Sequence, residues 1–321
     1  MDITNNRVQS IDFIKGFAIL SVVLLHSLSQ DSLIKTFAFI HIWQAVPIFI
    51  FISFYLTFHR LDTYGQDNYY SALRLKKLTS RIIVPYVFLQ IVFCLLYICN
   101  GRYGSILHLI MRGGDGMGSY YPYLYIQLWL IAPVVYYILN FKHGGGYVIL
   151  LISIVINILT NTIMPNDRVY SCFIGRYLFM SVVAWHYLKQ PNSILWKYIL
   201  PLISILYWIS LSSIDLYPCV DNRWSTQQFP SFFYTFFFVS FISWIYEKLG
   251  NTIKDIFTWM GRNSYQIFII QMFVFHLFSI EDYLFITSDT LRRCVFVLTS
   301  VTMSIIPYYI YSIIKKHLIC R

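Results

Sequence analysis

Residues 7–30 form the stretch RVQSIDFIKGFAILSVVLLHSLSQ. From Ile11 to Ser29 it is apolar at most positions, with Asp12 and Lys15 at its start and a lone His26 near its far end. About 20 apolar residues at a rise of 1.5 Å each cross a bilayer, so 11–29 is expected to be a membrane helix. Basic residues before an apolar run also describe a secretory leader. No small-residue cleavage pattern follows, however, and similar runs continue along the chain, so this helix is expected to be retained.

Nine further segments are as long and apolar: 37–58, 82–100, 120–139, 147–164, 170–188, 195–214, 230–247, 264–280 and 292–314. The fifth and sixth are separated only by Pro165, Asn166, Asp167 and Arg168. The chain is 58% hydrophobic and 12% charged, where a soluble domain is about 25% charged. These numbers exclude a soluble protein and a nucleic-acid binder. The expectation is an all-α integral membrane protein, a single bundle of about ten transmembrane helices forming one domain over 1–321. The six cysteines show no CxxC and no histidine at metal spacing, so neither a disulfide framework nor a metal is expected.

An even number of spans puts both termini on one side, and the excess of Lys and Arg in short loops marks that side as cytoplasmic. On this reading 16 of the 24 Lys and Arg face inward, and the formal net charge of +10 lies on the inner face. Arg74, Lys76, Lys77 and Arg81 are packed more densely than orientation requires, so they suit an anion or lipid phosphates. The outer loop 101–119 is long and carries Gly113, Gly114, Gly116 and Gly118. Loops of that length are commonly functional, and this one is expected over the outer mouth of the bundle.

Lys15 and His26 are eleven residues apart, three helical turns plus about 20°, and so share one face about 16 Å apart along the axis. A histidine inside a membrane helix marks a functional site by default, its plain alternative being a neutral imidazole bonded to a neighbouring helix. Asp12 is about 21 Å from His26 along the helix and cannot orient the imidazole, whereas Asp31 would lie about 7.5 Å beyond it. Asp12 is expected to pair with a cation at the helix start. Gln44, Gln271 and Arg176 are polar residues inside apolar segments. They read as helix-to-helix bonding partners or as contacts to an acceptor substrate, Arg176 to an acidic sugar or lipid-linked phosphate.

Arg7, IDFIKG at 11–16 and then His26 resemble the signature of the membrane-bound acyltransferase 3 family, in which Arg or Lys is followed by ten residues and His. VPIFIFIS at 46–53 resembles its second-helix aromatic run, KKLTSRIIVPY at 76–86 its basic entry to the third helix, and GRNSYQIF at 261–268 its late Gly-x-x-Ser opening. Phe54 and Gln271 depart from the pattern, standing where relatives often have Gly and His.

The resemblance implies transfer of an acyl group, usually acetyl from acetyl-CoA, to a hydroxyl of a cell-surface polysaccharide or its lipid-linked precursor. It implies a multi-pass protein of the bacterial inner membrane, with acetyl-CoA as a substrate and no permanently bound cofactor. His26 is then the general base or the acyl acceptor. Lys15 and Arg81, with Lys77, Lys76 and Arg74, would hold the donor phosphates, and Asp12, Gly16 and Ser264 would support the site. Besides donor and glycan, the expected partners are membrane lipids. Ten helices with an internal polar stripe also describe a glycan or lipid flippase, although the repeats and broken helices common in carriers do not stand out.

Overall fold

The computed structural model describes residues 3–65, 69–99, 101, 113–141, 145–163, 172–213 and 226–319, with the side chains of 3–8, 161–163 and 316–319 excepted. The 165–168 junction, Cys219, Cys320, most of the 101–119 loop and the Arg7 side chain lie outside these. Among the described residues the α-helices are α1 (Ile3–Ser27), α2 (Gln30–Lys35), α3 (Ala45–Tyr64), α4 (Ala72–Leu78), α5 (Val84–Cys99), α6 (Tyr121–Leu139), α7 (Gly145–Ile163), α8 (Phe179–Lys189), α9 (Leu200–Ser213), α10 (Phe232–Lys248), α11 (Asn251–Arg262), α12 (Ser264–Leu277) and α13 (Asp289–Ile319), and there is no strand.

Among the described residues six helical stretches are long and apolar enough to cross a membrane: Gln9–Ser27, Ala38–Tyr64, Ala72–Cys99, Tyr121–Leu139, Phe229–Lys248 and Asp289–Lys315. Shorter apolar helices occupy Gly145–Thr160, Leu195–Leu211 and Ser264–Leu277. The expected 170–188 segment differs. Its described part is a 3₁₀ turn at Ile174–Tyr177 followed by the eleven-residue α8. The amphipathic α11 lies where the sequence suggested only a loop.

Prolines shape the helices of the chain. The Ala72–Cys99 stretch passes through a π-turn at Thr79–Ile83 just before Pro85, and α9 is preceded by another at Leu195–Ile199, just before Pro201. Proline lacks the N–H that would bond the carbonyl four residues back, and widening the turn is one way to absorb that loss.

The chain divides into two compact units, one of Met1–Ala45, Gly116–Gly118 and Lys248–Arg321, the other of Val46–Asp115 and Ser119–Glu247. In the first unit α1 lies along α11 and also touches α12 and α13. Two glycines allow the α1–α11 approach. A Cβ on Gly16 would stand 1.9 Å from the Phe257 carbonyl oxygen, and one on Gly261 would stand 1.6 Å from the Asp12 carbonyl oxygen. Phe13 and Phe257 close the contact, ring centroids 5.2 Å apart. Beyond α1, Leu33, Ala38, Ile42 and Trp43 form a small core against Leu24, Leu25 and Leu28.

The second unit contains α6 with Pro133 inside it, which deprives the Trp129 carbonyl of its helical donor. The Tyr69 hydroxyl donates to that carbonyl at 3.1 Å, and Tyr70 donates to the next one, Leu130, at 2.6 Å. Burial pushes the Tyr69 hydroxyl up to about 12, so it remains a donor. At another point Asp62 receives Lys189 at 2.5 Å and the Tyr136 hydroxyl at 2.7 Å, tying α3, α6 and α8 together. Phe179, Phe232 and Phe236 fill the core of this unit, each fully buried.

Two outcomes are expected from thermal unfolding in detergent. Gly16→Ala and Gly261→Ala each destabilise by about 1–3 kcal/mol through overpacking, whereas Gly146→Ala, with open space around it, is neutral or stabilising. Tyr69→Phe costs about 1–2 kcal/mol, and most of that loss disappears when Pro133→Ala returns an N–H to the Trp129 carbonyl.

Candidate functional site

The structure ends α1 at Ser27, one residue past His26. Ser29 then caps α2, its hydroxyl accepting from the Ser32 N–H at 3.3 Å. The imidazole therefore stands in the last turn of a helix, half-buried, with Phe275 of α12 edge-on to it at 5.9 Å. This early stop alters the position of Asp31. It is not a continuation of α1 but an exposed residue in the first turn of α2, where its charge acts on Arg293.

Phe275 is one turn beyond Gln271 on α12. Gln271 is fully buried and donates through Nε2 to the Met117 carbonyl at 3.4 Å. Its Oε1 has no hydrogen-bond partner among the described residues. One turn earlier on α12, Phe268 lies against Gly118, where a Cβ would come within 2.9 Å of the ring. Gly118 adopts a φ of +85°, so glycine is required there by both the conformation and the space. The Gly116–Gly118 tail of the long loop thus rests on the face of α12 that presents Phe275 to His26.

At the other end of α1, Asp12 is 8% exposed and bridges two cations. Lys15 Nζ lies 2.6 Å from Oδ1, and Arg262 Nε donates to Oδ2 at 3.2 Å. Arg262 arrives because Gly16 and Gly261 let the two backbones touch. Nothing in the sequence placed residue 262 beside residue 12, although Gly261 ahead of the Ser264 helix was a clue to close packing. Ser264 is the half-buried first residue of α12.

Gln44 is fully buried in the same unit and donates to the Phe39 carbonyl at 2.8 Å, holding the turn that leads into α3. Its Oε1 likewise has no partner among the described residues.

The basic segment belongs to the second unit, and its members differ. Arg74 lies over the Tyr69 ring at 4.1 Å and donates to the Tyr69 carbonyl at 3.1 Å, so it is anchored. Lys76, Lys77 and Arg81 are exposed. Arg81 falls within the π-turn. Arg176, expected inside a membrane helix with an anion at hand, is instead wholly buried in the Ile174–Tyr177 turn. Its Nε donates to the Gln227 carbonyl at 3.4 Å, while its own carbonyl accepts from Asn157 at 2.9 Å. The Tyr177 hydroxyl reaches Gln227 Oε1 at 2.5 Å. These contacts give Arg176 protein partners in the fold.

Also in this unit, α5 builds a rigid seat for the start of the glycine-rich turn. The Gln90 side-chain amide accepts from the Asp115 N–H at 2.7 Å and donates to the Asp115 carbonyl at 3.0 Å, and Tyr97 donates to the Asp115 carboxylate at 2.8 Å. Tyr86 donates to the Gly113 carbonyl at 2.8 Å.

One helix thus carries a cation near one end and an imidazole near the other, in a chain of apolar helices. The family model described as an acyltransferase domain matches residues 8–312. The chain belongs to the acyltransferase 3 family. Neither a curated protein nor a solved structure matches it. Membership accounts for the extent of the apolar helical region and makes acyl transfer the chemistry against which Lys15 and His26 are read. It identifies a multi-pass membrane acyltransferase.

Asp12→Ala strands two cations at a tight helix crossing, so it is expected to destabilise the protein by about 1–3 kcal/mol. Unfolding midpoints of wild type and variant, compared in the same detergent, check this.

Proposed function

We propose that the protein is an O-acyltransferase that moves an acetyl group from cytoplasmic acetyl-CoA to a hydroxyl of a cell-surface polysaccharide or its lipid-linked precursor. The observation that carries this reading is the pairing, on one helix of an acyltransferase 3 family chain, of Lys15 with a half-buried His26. About 16 Å of helix separates the two, comparable to the reach of a pantetheine arm. The Lys15 end, on the side rich in Lys and Arg, is the cytoplasmic one. It takes the anionic nucleotide end of the donor, and the thioester extends toward His26.

His26 acts as general base. It removes the proton of the acceptor hydroxyl as that oxygen attacks the thioester carbonyl. The carbonyl carbon–sulfur bond breaks, the thiolate of CoA leaves, and the imidazolium returns the proton to it. The products are the ester and free CoA. The position of His26 in the last turn of α1 suits this role, because the open carbonyls of a helix C-terminus favour positive charge as it develops. A neutral imidazole near pH 7 is the state the step requires.

Gln271 extends the site. Its buried Oε1 offers an acceptor to a substrate hydroxyl, while Nε2 holds the Met117 carbonyl. In the second unit the exposed Lys76, Lys77 and Arg81 are phosphate-binding groups by the same chemistry that recommends Lys15.

With detergent-purified protein, radiolabelled acetyl-CoA and a membrane glycan extract, His26→Ala is expected to lower label transfer about 10²–10⁴-fold while CoA binding persists. Lys15→Ala is expected to weaken CoA binding. Undiminished transfer by the histidine variant would remove His26 from the chemistry. An acetyl adduct on His26 after exposure to donor alone would replace the direct route with a covalent one.

A further inference from the structure

The Asp12 cluster contains one cation more than a structural ion pair needs. The Asp12 side chain is 12% exposed and receives Lys15 on one oxygen and Arg262 on the other. Two cations against one carboxylate leave a positive charge in excess. Arg262 spends only its Nε on Asp12, and no other hydrogen bond of Arg262 occurs among the described residues. Its side chain is 57% exposed, against 21% for Lys15. The terminal amino groups of a guanidinium form a planar fork that matches a phosphate in bidentate fashion.

The platform under this fork is rigid. Gly16 and Gly261 bring the backbones of α1 and α11 into contact, with a Gly261 Cβ only 2.9 Å from the Gly16 nitrogen, and the Phe13–Phe257 contact braces them. A cation held in place before its ligand arrives loses less entropy on binding than one on a free side chain. The chain then turns directly into α12. There the Asn263 side chain bonds back to the Trp259 carbonyl at 2.8 Å and leaves the helix start without a side-chain cap. The partial positive charge of that terminus adds to the charge of the cluster.

We propose that Arg262 is a donor-binding residue, which together with Lys15 seats a phosphate of the nucleotide end of the acyl donor while Asp12 fixes the Nε edge of its guanidinium. This assignment rests on the acyl-CoA reading of the site. It adds a contact from the C-terminal end of α11 to the one that Lys15 supplies from α1.

The test is CoA binding to detergent-purified full-length protein, at low and high salt, for wild type, Arg262→Gln and Arg262→Lys, with the unfolding midpoint of each unliganded protein as the control for folding. Glutamine keeps a donor for Asp12 and removes the charge, whereas lysine keeps the charge and removes the fork. Arg262→Gln is expected to weaken CoA binding about tenfold or more, as loss of a charge-assisted bond does, with lysine restoring part of the loss. The glutamine variant should also lose less affinity than wild type as salt rises.

Binding by Arg262→Gln within about twofold of wild type overturns the assignment. Equal losses in both variants accompanied by a lowered unfolding midpoint also overturn it, because Arg262 would then be a structural partner of Asp12 only. A folded wild type that binds no CoA defeats the acyl-CoA reading itself, and the assignment with it. That result is distinct from a wild type that binds CoA and a variant that binds it equally well.

Discussion

The crossing of α1 and α11 at Gly16 and Gly261 is the constraint on which the first unit depends. In an apolar surround the gain from association comes from close packing rather than from expulsion of water, and glycines permit the closest backbone approach. Here the approach also sets the electrostatics. The Asp12 carboxylate lies within reach of both Lys15 and Arg262 only because the two backbones touch. A side chain at either glycine would collide with a carbonyl oxygen, which cannot move without the helix that carries it. Packing, charge and the proposed donor seat therefore share one cause.

The second unit is organised by a different necessity, that of satisfying backbone groups freed by proline. Inside a membrane no water is at hand to bond an orphaned carbonyl, so the protein must do so itself. Tyr69 does this for α6, and π-turns precede Pro85 and Pro201. Arg176 also takes protein partners, its Nε donating to the Gln227 carbonyl and its own carbonyl accepting from Asn157. A buried amide oxygen with no hydrogen-bond partner among the described residues, as on Gln271, is an informative signal, because folding alone gives no reason to leave it so.

The placement of two candidate residues on one helix was legible in advance. Helical periodicity alone aligned Lys15 with His26, because both lie on one unbroken α1 and no tertiary contact can alter their spacing. The hydropathy pattern located nearly every long helix, since bilayer thickness fixes the length of an apolar run. The exception, 170–188, was apolar enough, but its polar interruption folds into a tight turn once Gln127 is there to accept from the Ile174 N–H at 3.1 Å. The run of Arg74, Lys76, Lys77 and Arg81 was visible as a charge cluster. That Arg74 would stack on Tyr69 while the others stay exposed depends on where Tyr69 goes, and Tyr69 goes to a carbonyl freed by a proline more than sixty residues away.

Composition and periodicity, then, were sufficient for the helical membrane character and the cation–imidazole stripe, because each of these is a property of a single segment; the family was legible only as a resemblance of several motifs in order along the chain. The pairing of Asp12 with Arg262, the termination of α1 just past His26, the resting of Gly118 on Phe268 and the bond of Arg176 to the Gln227 carbonyl were decided only by the tertiary structure. Each depends on a partner distant in sequence or on how the chain turns after a helix, and neither is encoded in the hydropathy of the segment that carries the residue.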